Sequence, residues 1–217
     1  MGYKRKMLLF LLACSEPEEK VVEPPALPPH QMFPSPAAAV SYLLEQKPKI
    51  LGVGEVHANT GQETAVTTLS RFTKEILPVL APVTTDLVLE TWRINEDCRE
   101  KAKKVAQTIQ AETHRPEETK DELAELVEEA IRLKVQPHDI GFSCKEYAGV
   151  QDENGIQYGL LLKLVRQKLA EYAFQALEIP SATLVIYGGA AHNDLFPPPE
   201  QREYAYGPSV REKGGNS

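Results

Sequence analysis

Four short stretches of the chain carry the residues that could do chemistry. The first is Gly54-Glu55-Val56-His57, and the second is Glu90, directly after the apolar Leu87-Val88-Leu89. The third is His138-Asp139, and the fourth is Gly189-Ala190-Ala191-His192, followed by Asn193 and Asp194. Two imidazoles and a carboxylate form a ligand set for zinc, manganese or another first-row cation, with a position left open for water. His57, Glu90 and His192 are the expected metal ligands. A further carboxylate, Glu55 or Asp139, would then serve as the base for a metal-activated water. Without metal, Glu55 and His57 could act as a carboxylate-oriented histidine base. Each residue taken singly also has a plain reading. Glu90 could cap a helix or pair with Arg93, His138 could be a satisfied core histidine, and Asp194 could cap the turn before Pro197-Pro198-Pro199.

What binds these stretches together is the pattern of elements that precede them. Ile50–Val53, Leu87–Leu89 and Thr183–Tyr187 are apolar runs of strand length, the last the clearest, and the more polar run Val135–Ile140, third in chain order, reads as a further strand. Helical spacing predicts helices over Ala37–Gln46 after Ser35-Pro36, over 61–80 with Pro78 weakening its end, and over 96–113, 116–134 and 154–177. Pro137 marks the third run as an edge strand or a strand end. Strands alternating with helices imply an α/β fold, a mostly parallel sheet covered by helices. In such a sheet the carboxyl ends of all strands lie along one edge, where ligands bind. Three of the reactive stretches follow a predicted strand and His138-Asp139 stands near the end of another, so the fold would gather them there. Gly54 and Gly189 each stand three residues before a histidine and permit a sharp turn back over that edge.

The N-terminus reads as an address. Lys4-Arg5-Lys6 precedes the short apolar run Met7–Ala13, as in an export signal, and Leu11-Leu12-Ala13-Cys14 resembles a bacterial lipobox. By that resemblance Cys14 would be the lipidated first residue of the mature protein, with Ser15 after it implying the outer membrane; a plain secretory signal or a buried N-terminal strand is the other reading. Residues 1–13 are expected to be the signal peptide, and residues 14–36, rich in proline and acid, a semi-rigid tether. Residues 37–217 form a single α/β domain. Cleavage removes three cations and takes the net charge from −7 to −10. A net charge of −7 over 217 residues argues against nucleic acid as the main partner, which wants a basic face. No apolar run is long enough to span a membrane as a helix. Cys98 and Cys144 remain after lipidation, and an oxidising compartment favours a disulfide between them over two separate buried thiols.

With these residues in place, the sequence resembles a superfamily that joins erythromycin-esterase-like enzymes, ChaN-like haem-binding lipoproteins and TIKI/TraB metalloproteases. The shared pattern is Gly54-Glu55-Val56-His57, a glutamate (Glu90) ending an apolar strand, and Gly189-Ala190-Ala191-His192. Beyond it, Arg71-Phe72-Thr73, Leu77-Pro78, Pro137-His138, Ser143-Cys144 and Tyr187-Gly188-Gly189-Ala190 resemble a group of uncharacterised myxobacterial-type proteins. The resemblance implies a metal site at His57, Glu90 and His192 from the protease branch. From the esterase branch it implies a base at His57 with Glu55 beside it, and from the ChaN branch haem binding by an outer-membrane lipoprotein. Family members carry Arg-Asn or Arg-Asp opening the long helix before the last motif; here Gln151-Asp152-Glu153-Asn154 stands there.

Two functions of different classes follow. One is a lipid-anchored, metal-assisted hydrolase of ester or peptide bonds in the cell envelope. The other is a haem- or iron-binding lipoprotein that captures without cleaving, with Tyr187 or His192 as the haem partner. A structural lipoprotein with a vestigial cleft is the third reading.

Overall fold

A computed structural model describes residues 31–56, 66–94, 119–153, 155–180 and 183–214, with backbone alone at 92–94. The signal peptide, most of the tether, His57, Cys98 and the helix expected over 96–113 lie outside the described residues.

Four strands form one sheet, β1 (Ile50–Glu55), β2 (Asp86–Ile94), β3 (Gln136–Phe142) and β6 (Leu184–Gly189). Their order is β1-β6-β2-β3 and every pairing is parallel. The last strand in sequence is thus a central one, which explains its unbroken apolar run: all six of its residues are buried. Alternation along the strands supplies two apolar faces. Val88, Ile140, Leu184 and Ile186 meet the long helix, while Leu87, Leu89, Val185 and Tyr187 meet the opposite layer.

On that second face lie α1 (Pro36–Leu44), α2 (Thr68–Arg71), α3 (Leu77–Leu80) and α4 (Thr119–Arg132). Helix α1 starts as its sequence predicts, with the Ala38 N–H donating to Ser35 Oγ at 3.2 Å and Pro36 in the first turn. Helices α2 and α3 are joined by a π-helical turn over Phe72–Ile76, in which the Leu77 N–H reaches back to the Phe72 carbonyl. That wide turn sits directly before Pro78, whose ring would press on a carbonyl four residues back in a regular helix. Pro78 therefore widens the helix instead of ending it.

Strand β3 extends past Ile140 to Phe142 and lies at the sheet edge. The Gln136 N–H donates to the Thr85 carbonyl just before β2, so the next nitrogen, that of Pro137, points off the open edge where no donor is needed. The strand then turns into α5 (Cys144–Gly149) through a capping box at Ser143 and Glu146. The Lys168 ammonium, bonded to Glu146 at 2.7 Å, and the Ser143 backbone N–H hold the Glu146 carboxyl at about 2, below its ordinary 4.5. A carboxyl depressed in the folded state stabilises fully above its ordinary value and loses that contribution as pH falls toward the folded one. Glu146→Gln should therefore cost about 1 kcal/mol at neutral pH, a value kept small because solvent screens the pair. The gap to the parent should close between pH 4.5 and about 2 in urea unfolding curves.

The long helix α6 (Tyr158–Glu178) covers the first face. It begins later than its periodicity predicts because Gln151–Asp152 (β4) and Gly155–Ile156 (β5) pair as a small antiparallel hairpin. Gln151 and Asp152 thus open a hairpin and not the helix. After β6 come a single turn, α7 (Ala190–Asn193), a 3₁₀ turn at Pro199–Gln201, and α8 (Gly207–Gly214) beside α6. Among the described residues no helix is long and apolar enough to cross a membrane.

Candidate functional site

The carboxyl end of β6 emerges between those of its two neighbours. Strand β2 leaves it there through an irregularity: Leu89 pairs with Asp139 and Trp92 with Ile140, so Glu90 and Thr91 are extra residues in the ladder. Bulges of this kind re-aim side chains beside functional sites. Here Glu90 turns back over the end of β6, and its Oε2 accepts the Gly189 N–H at 2.6 Å. Gly188 leaves the room for this. A Cβ at that position would stand 2.5 Å from Glu90 Oε2 and 2.7 Å from Glu90 Cβ.

His192, on α7, faces Glu90. Its Nε2 lies 3.6 Å from Glu90 Oε1, and the two side chains are only 4% and 7% exposed. Its Nδ1 lies 2.6 Å from the Tyr204 carbonyl oxygen. A carbonyl can only accept, so Nδ1 carries a proton and donates. In a neutral imidazole Nε2 is then a bare lone pair, directed at a carboxylate. Two acceptors buried face to face need a proton between them, on Nε2 or on the carboxyl, or else a cation. A ring N–H given to a backbone carbonyl is also how metal-binding histidines are held. The donor set, one imidazole nitrogen and one carboxylate oxygen, suits zinc or manganese.

Asn193 packs beside this pair. Its amide donates to the carbonyls of Gly188 (3.3 Å) and Gly189 (3.1 Å), and its Oδ1 accepts the Tyr206 hydroxyl at 2.5 Å. Burial, and then the Glu90 charge, push the Tyr206 hydroxyl up.

Glu55 ends β1 on the other face. It accepts the Tyr187 hydroxyl, and Thr68 Oγ1 lies 3.5 Å from the same oxygen. Tyr187 is buried against Phe72, with ring centroids 4.4 Å apart. Burial and the adjoining Glu55 raise its hydroxyl far above the ordinary value. The Glu55 and Glu90 carboxylates are therefore carried on opposite faces of one sheet edge.

The remaining predicted residues fall in several places. His138 and Asp139 lie inside β3 and not beyond its end, because the strand runs on to Phe142. The His138 ring takes Asp86, at the start of β2, as its partner at 2.7 Å and lies against Tyr172. Asp139 accepts the Thr91 hydroxyl at 2.5 Å and lines a cavity of ≈ 390 Å³ with Leu89, Thr91, Leu123, Val127 and Glu128. Asp194 caps a turn by accepting the Phe196 N–H at 2.7 Å. Cys144 is disulfide-bonded, and Cys98 and Cys14 lie outside the described residues. Among the described residues no three His, Cys, Asp or Glu side chains converge as a metal-binding group. Glu90 and His192 are the predicted ligands that meet. Sequence reasoning missed Thr91, the Tyr204 carbonyl and Tyr206. Backbone acceptors leave no mark on residue type, and the aromatic pair Tyr204 and Tyr206 was the one available signal.

No family model, curated protein or solved structure matches this chain. The functional reading rests on the geometry of this edge and on the motif resemblance.

Proposed function

We propose that the protein is a lipid-anchored envelope protein, exported and held at the outer membrane through Cys14. Its sheet-edge site acts as a metal-assisted hydrolase of ester or peptide bonds. The observation that carries this reading is the buried Glu90–His192 pair, with Nδ1 committed to a carbonyl and Nε2 turned to the carboxylate. Glu90 and His192 would hold the cation, and the motif resemblance adds His57. When bound there, a divalent cation supplies Lewis-acid polarisation and a water of lowered pKa. Glu90 also anchors the end of β6 through the Gly189 N–H, so holding the cation and fixing the strand end fall to one side chain. Glu55, kept on the far face by Tyr187 and Thr68, stands one residue before Val56 and two before His57, in the motif whose family role is the base.

The test is elemental analysis of the protein purified without a histidine tag, beside a His57→Ala/His192→Ala variant. Near-stoichiometric zinc or manganese in the parent, lost in the variant, is the expected result. No metal in either after incubation with both ions would sink the reading. A Soret band on adding haemin would then mark the capture function instead.

A further inference from the structure

We propose that Tyr206 is a positioning residue: its hydroxyl, bonded to Asn193, locks the Tyr204–Tyr206 segment against α7 and thereby fixes which nitrogen of His192 is left open to bind.

The bonds form a closed loop. The Tyr206 N–H donates to the His192 carbonyl at 3.0 Å. The His192 Nδ1–H donates to the Tyr204 carbonyl at 2.6 Å, so backbone and side chain of one residue are held by two residues of the same short segment. The third tie is the Tyr206 hydroxyl on Asn193 Oδ1, at 2.5 Å. Asn193 has no freedom to turn away, because its amide nitrogen is spent on the carbonyls of Gly188 and Gly189 at the end of β6. The chain of contacts therefore runs from the central strand through Asn193 and Tyr206 to the carbonyl that accepts the Nδ1 proton. Arg166 of α6 steadies the outer side, with Nε 3.4 Å from the Ala205 carbonyl and Nη2 2.5 Å from Ser209 Oγ. Strand β1 makes room for the central contact. A Cβ at Gly52 would stand 2.8 Å from both Asn193 Oδ1 and the Tyr206 hydroxyl oxygen. Tyr206 is 3% exposed, so its ring packs in the core and only its hydroxyl is left for this task.

Tyr206→Phe keeps the ring and removes the tie. Full-length protein labelled with nitrogen-15 in histidine, with His192 assigned from a His192→Gln spectrum, reports which ring nitrogen carries the proton. The parent should show a protonated Nδ1. Tyr206→Phe should show a fraction of His192 with Nδ1 unprotonated, with zinc affinity weakened 10- to 100-fold, as for loss of other outer partners of a metal-bound histidine. Gly52→Ala pushes on the same contact from β1 while keeping every bonding group, and should move the spectrum the same way. It decides the matter if Tyr206→Phe does not fold. A merely structural role would lower the melting temperature and leave the Nδ1 proton in place, and that outcome overturns the proposal. The zinc arm rests on the metal reading above, and the nitrogen arm does not. A parent that takes no zinc, with the proton shift still seen in Tyr206→Phe, refutes the metal reading and upholds the positioning role.

Discussion

Glu90→Ala should lose about 3–5 kcal/mol in urea unfolding, while Glu90→Gln should stay within about 1 kcal/mol of the parent. The asymmetry comes from what each change leaves behind. Alanine strands the Gly189 N–H and leaves whatever charge sits on His192 without its counterpart, all in a site where both side chains are nearly fully buried. Glutamine keeps an oxygen for Gly189 and turns an amide N–H toward Nε2. With Nδ1 already donating to Tyr204, the neutral imidazole then has a donor facing each acceptor and needs no extra charge. Metal content should separate the two properties. Zinc affinity should fall in Glu90→Gln by more than roughly 100-fold, beyond the loss that follows removal of an outer partner. A loss of no more than about 1 kcal/mol in Glu90→Ala would mean that no buried charge is left without its counterpart, and the argument for a cation at this place would go with it.

Gly188→Ala should be the most damaging change of one carbon in the sheet, at about 1–3 kcal/mol. The added methyl would meet Glu90 Cβ at 2.7 Å as well as the carboxylate, so a rotation of the acid alone cannot clear it. Strand β6 is paired on both sides, to β1 and β2, and has nowhere to shift. Metal binding should fall in the same variant, because relief requires Glu90 to leave the pair. Gly141→Ala is the control: it lies in the edge strand with nothing within 4 Å of the added carbon, and should change stability by less than about 0.5 kcal/mol. Thermal unfolding of the two proteins side by side gives the answer, and indistinguishable curves would remove the steric account of Gly188.

The parallel sheet was legible because its central strand had to be apolar on both faces, which Thr183–Tyr187 announces in residue type. The placement of Glu90 near His192 was legible for a related reason: strands of one sense end on one edge. His138 was misplaced because Pro137 looks like a terminator, and only knowledge of which side of β3 is open shows that it terminates nothing. The extra residues at Glu90-Thr91 were not legible either. Register is a property of two strands, and nothing in Glu90-Thr91-Trp92 alone states where pairing with Ile140 resumes. The start of α6 was read early because a hairpin of two residues a side carries too few positions to show a period.

That interruption of β2 also bears on how such a chain can change over generations. The surplus is an even number of residues, so the two-residue period of the strand carries across it unbroken. Deleting Glu90 and Thr91 together would leave Leu87, Leu89 and the partners of β3 on their present sides and would close the gap in the ladder. The sheet can thus shed Glu90 in one in-frame event without inverting a single core position. Silent descendants of this protein would keep the scaffold intact, and a ladder without the surplus pair is the mark by which to recognise them.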